Sequence, residues 1–79
     1  MATYGRFNVS NTGSTPKYEG GVRVYLAGEL IGACTPSSRD PLGYIRKHPG
    51  SRYRQKFVSI LQGAGATQEE INNILNDVK

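Results

Sequence analysis

The chain has no tryptophan, one cysteine and one histidine among its 79 residues. A lone cysteine excludes an intramolecular disulfide, and Cys34 with His48 falls short of the ligand set of a structural zinc site. No apolar run approaches the roughly 20 residues of a membrane helix. The N-terminus has no basic stretch leading into an apolar run, so a soluble, cytoplasmic protein without a membrane partner is expected.

Carboxylates are scarce too. Six Asp and Glu against ten Lys and Arg give a net charge of +4, which favours anionic partners. The length is about half of the roughly 150 residues of an ordinary domain, so the chain reads as one domain.

Catalytic groupings are missing as well. His48 lies in a basic Pro-Gly turn, and Cys34 lies within a strand rather than at a helix N-terminus, where a thiolate would be favoured. Glu69 and Glu70, the adjacent acidic pair, belong to the first turn of a helix and are explained by capping and the helix dipole. Gly63-Ala64-Gly65 lacks the Lys-Ser/Thr that would complete a phosphate loop. The expectation is a non-enzyme with no metal and no cofactor.

What is present divides into a β half (1–35), a basic loop (36–50) and a helical half (51–79). Thr3 to Val9 alternates, with Phe7 and Val9 on one face and Tyr4, Arg6 and Asn8 on the other, as a half-buried strand does. Residues 10–21 read as a long connection. Val22 to Cys34 reads as a hairpin turning at Gly28-Glu29, which places Val22, Val24, Leu26, Ile31 and Ala33 on one face and Arg23, Tyr25, Leu30, Gly32 and Cys34 on the other.

Asp40 before Pro41 suits the cap of a short helical turn ending at Lys47. Ser51 suits the cap of a helix with Tyr53, Phe57, Ile60, Leu61 and Ala64 in one stripe. Thr67 and Glu70 have capping-box spacing, opening a last helix with Ile71, Ile74, Leu75 and Val78 inward. The predicted fold is α+β: a small antiparallel sheet of about three strands, covered by a C-terminal helical hairpin.

Charge is concentrated in residues 39–56, where Arg39, Arg46, Lys47, Arg52, Arg54 and Lys56 stand against Asp40 alone, with Tyr44 and Tyr53 interleaved. Guanidinium and ammonium groups hold phosphates, and aromatic rings beside them stack on bases. Tyr4, Arg6, Arg23 and Tyr25 form a second candidate platform on the outer sheet face. A helix-turn-helix is disfavoured, because the would-be recognition helix opens on Glu69 and Glu70.

Two function classes follow. The first is a small basic nucleic-acid-binding or regulatory protein contacting DNA or RNA. The second is a protein-binding accessory factor: an inhibitor, adaptor or small structural subunit of the kind phages encode, docking through an acidic partner surface or by strand addition at a sheet edge.

Overall fold

A computed structural model describes residues 2–78. Gly5, at φ 60°, splits the first alternating stretch into β1 (Ala2–Tyr4) and β2 (Phe7–Thr12). The left-handed backbone that glycine adopts cheaply makes a two-residue turn with Arg6 and sets Tyr4 opposite Phe7. The expected single strand is thus corrected to a hairpin. Its turn resets the alternation, so Tyr4 joins Phe7 and Val9 on the buried face instead of sharing an outer face with Arg6.

The next hairpin joins β3 (Gly21–Leu26) and β4 (Glu29–Cys34) through Ala27-Gly28, at φ 53° and 81°. Two consecutive left-handed residues give the turn whose twist matches that of paired strands. The expected Gly28-Glu29 turn is therefore displaced by one residue. A bulge between Val24 and Tyr25 leaves Ile31 between the partners of those residues, so Val24 faces Gly32 and Val22 faces Cys34. Gly32 and Cys34 occupy the inner face, where Ile31 and Ala33 are expected from the alternation. Ile31 still packs against the core from a half-buried position.

The sheet is a four-stranded antiparallel meander in the order β1-β2-β3-β4, one strand more than expected. The long connection shortens to residues 13–20, tied down by paired backbone bonds between Thr15 and Tyr18 and by Ser14 N–H on the Ser38 carbonyl.

Three helices follow, each opened by a local cap. α1 (Pro41–Lys47) fills much of the expected basic loop. Asp40 accepts from Gly43 N–H, while Asn11 donates to Asp40 Oδ1 at 2.7 Å and accepts from Leu42 N–H at 3.1 Å. Ser51 caps α2 (Arg52–Gly63), and Thr67 and Glu70 form the expected capping box of α3 (Gln68–Leu75).

Packing sets α1 over β2 and β3, α2 over β4 and against α1, and α3 against β1. The pairing of α2 with α3 as a hairpin stays an expectation; the contacts that define the fold run from each helix to the sheet. Phe7, Val9, Val22 and Val24 meet Ile45, Phe57, Leu61, Ile71 and Ile74 in one buried core. Val78, expected in the last stripe, is 54% exposed because α3 ends at Leu75. No helix of the described residues is long and apolar enough to cross a membrane.

Candidate functional site

Residues 41–63, which make up α1, α2 and the turn between them, contain Arg46, Lys47, Arg52, Arg54 and Lys56 and no carboxylate. The fold sorts these cations into two groups. Arg46 reaches across to the end of α3, where Nη2 donates to the Ile74 carbonyl at 2.7 Å and to the Tyr4 hydroxyl at 3.0 Å. The same nitrogen lies 3.8 Å from Asp77 Oδ1. Arg54 donates from Nη1 to the Ile45 carbonyl at 3.2 Å and approaches that of Arg46 at 3.5 Å. Each guanidinium thus satisfies carbonyls at a helix C-terminus, where the helix dipole also favours a cation. Arg46 and Arg54 hold the fold together.

Lys47, Arg52 and Lys56 are exposed, as is Arg39 just before α1. Among the described residues, no carboxylate pairs with any of these four. Lys47 still acts at longer range on Asp40, whose carboxyl is held below its usual range first by the Asn11 side chain and the Gly43 N–H and then by the charges of Arg46 and Lys47.

The aromatic residues sit beside them. Tyr44 and His48, one helical turn apart, stack with ring centroids 4.2 Å apart and planes at 22°. Tyr53 meets Tyr44 edge-on at 6.0 Å and 78°. The Arg52 guanidinium lies 5.2 Å from the centre of the Tyr53 ring, and its Nη2 donates to the Tyr53 hydroxyl at 3.3 Å. His48 Nδ1 lies 2.9 Å from the Tyr44 carbonyl. A carbonyl only accepts, so Nδ1 carries the proton and the imidazole plane is fixed.

Sequence reasoning leaves His48 out of the candidate surface. The sequence signal was its spacing of four from Tyr44, which puts both rings on one helix face.

The second candidate platform comes apart. Tyr4 is buried, and its hydroxyl donates to Asp77 Oδ1 at 2.7 Å. Burial, reinforced by that bond, raises its phenol pKa. Arg6 forms a two-pronged pair with Glu70 at 2.9 and 3.0 Å and also donates to the Gly65 carbonyl. Together with the Thr67 N–H, Arg6 pulls the Glu70 carboxyl down to about 2. Arg23, exposed, and Tyr25, half-buried, remain on the outer sheet face.

Cys34 is buried on the inner face, 3.7 Å from the Tyr53 carbonyl. Burial raises its thiol pKa, opposed by the positive charge of Lys56. An open hollow of about 490 Å³ is lined by residues 14–19 and Ser37, and by none of the predicted site residues.

Comparison with protein families, with curated proteins and with solved structures finds no match for this chain.

Proposed function

We propose that this chain is a small non-enzymatic nucleic-acid-binding or regulatory protein of the cytoplasm that holds phosphates on the α1–α2 surface. One observation carries the reading: an acid-free pair of helices exposes Lys47, Arg52 and Lys56 beside a connected set of aromatic rings. Unpaired cations displace the counterions of a phosphate backbone, and flat groups next to them contact bases or sugars. Arg39 adds a further unpaired charge at the start of α1. Arg46 and Arg54 contribute positive field but have little freedom to reorient towards a ligand.

The test is binding of short DNA and RNA probes at low salt. The wild-type chain should bind, and Lys47→Ala/Arg52→Ala/Lys56→Ala should bind much more weakly while melting at about the same temperature. Absence of binding, or binding unchanged in the triple variant, contradicts the proposal.

A second reading, an accessory factor docking on a protein assembly, draws support from β4. This strand is a sheet edge and carries Leu30 at 51% exposure. A partner retained after nuclease treatment and lost with Leu30→Lys would favour it.

A further inference from the structure

The flat groups of the α1–α2 surface form a row with two exposed ends. His48 stacks on Tyr44, Tyr44 meets Tyr53 edge-on, and Arg52 covers Tyr53. The inner members, Tyr44 and Tyr53, are half-buried, whereas His48 and Arg52 are exposed. The row therefore presents an imidazole at one end and a guanidinium at the other. Both ends are constrained, His48 through Nδ1 on the Tyr44 carbonyl and Arg52 through the Tyr53 hydroxyl.

Each end also has a lysine nearby in the chain that makes no salt bridge among the described residues. Lys56 lies one helical turn from Arg52 on the same side of α2, and Lys47 is the exposed residue that precedes His48 at the end of α1. A flat group with a neighbouring cation suits one nucleotide: the plane takes the base and the charge takes the phosphate. In a duplex the faces of internal bases are already covered by their neighbours, so such planes are useful to unpaired bases.

Resting on the phosphate-holding reading above, we infer that the ligand class is single-stranded nucleic acid, with bases stacked on His48 and Arg52 and flanking phosphates held by Lys47 and Lys56. Tyr44 and Tyr53 are the inner supports of the row and position its two ends.

The experiment is fluorescence anisotropy at low salt with four labelled probes of equal length: an oligo-dT strand, an oligo-U strand, an abasic strand with the same phosphates, and a blunt-ended DNA hairpin closed by a base-free linker. Both base-bearing single strands should bind about tenfold or more tighter than the abasic strand, the scale of a stacked base. They should also bind tighter than the hairpin. His48→Ala should lose part of the preference for bases, the share of one of the two stacking ends, whereas His48→Phe should keep the preference.

The abasic comparison uses the unmodified protein, so it stands even if a variant folds poorly. Equal binding of abasic and base-bearing strands, or preference for the hairpin, overturns the inference and leaves phosphate holding intact. Failure to bind any probe overturns both.

Discussion

The phenol of Tyr4 donates to Oδ1 of Asp77 across 73 positions of chain, joining the first strand to the end of the last helix. Asp77 sits at φ 55°, where its N–H approaches the Ile74 carbonyl and the Val78 N–H bonds to the Asn73 carbonyl. This is the left-handed helix ending usually made by glycine. Arg46 completes the junction by donating to both the Tyr4 hydroxyl and the Ile74 carbonyl.

Tyr4→Phe should cost about 1–2 kcal/mol at neutral pH, because it removes a part-buried hydroxyl and its two hydrogen bonds. The wild-type chain should also have an alkaline limb. With the folded pKa of Tyr4 raised above the ordinary 10.0, the unfolded chain loses that proton first. The stabilisation is complete below pH 10 and lost as pH rises through the folded value. Urea melts from pH 7 to 11 should show a gap between wild type and Tyr4→Phe that is widest at neutral pH and narrows above pH 10.

Glu70 governs the opposite limb. Its carboxyl is held at about 2 against an ordinary 4.5, first by Arg6 and then by the Thr67 N–H. The stabilisation from this group is present above pH 4.5 and lost as pH falls through about 2. Glu70→Gln should flatten stability over that interval, and Arg6→Ala should move the Glu70 titration upward. Urea melts between pH 2 and 6 check the first, and the Glu70 carboxyl chemical shift followed through an acid titration checks the second.

The β3–β4 turn offers a stabilising change. Ala27 is exposed and occupies φ 53°, a conformation that costs L residues about 1–2 kcal/mol and that asparagine tolerates better. Ala27→Asn should stabilise the fold by about 1 kcal/mol, and Ala27→Val should destabilise it. Thermal melts of the two variants should move in opposite directions.

Gly32 and Ile60 should behave as a coupled pair. A Cβ on Gly32 would lie 2.7 Å from the Ile60 side chain, so Gly32→Ala should cost about 1–2 kcal/mol. In an Ile60→Ala background the clash disappears and the same change should stabilise, because alanine orders a strand at less entropic cost than glycine. A double-mutant cycle measures the reversal.

These particulars show what the sequence conveyed. Asp40, Ser51 and the Thr67–Glu70 box marked three helix starts because a cap is a contact within one turn of chain. Gly5 was missed because apolar and polar residues alternate on both sides of it, and a two-residue turn resets the face without interrupting that alternation. The turn at Ala27-Gly28 competed with an equally plausible one a residue later, and the sequence did not reveal the bulge at Ile31. The register that prevails lays Gly32 beneath Ile60, a contact between strand and helix that local alternation cannot reveal.

The site was legible in composition and less so in role. A count of charges treats Arg46 and Lys47 alike, yet Arg46 points to the Ile74 carbonyl while Lys47 is exposed. That distinction depends on where α3 ends relative to α1. Tyr4 and Arg6 were lost from the candidate surface for the same kind of reason: one turned inward at Gly5, and the other found Glu70.

The salt dependence of binding to single-stranded oligo-dT tests the central claim most directly. Each phosphate contact contributes about 0.7 to the slope of log affinity against log salt. Replacing Lys47 and Lys56 with alanine should therefore lower the slope by about 1.4. An identical slope in the wild type and this double variant would contradict the account.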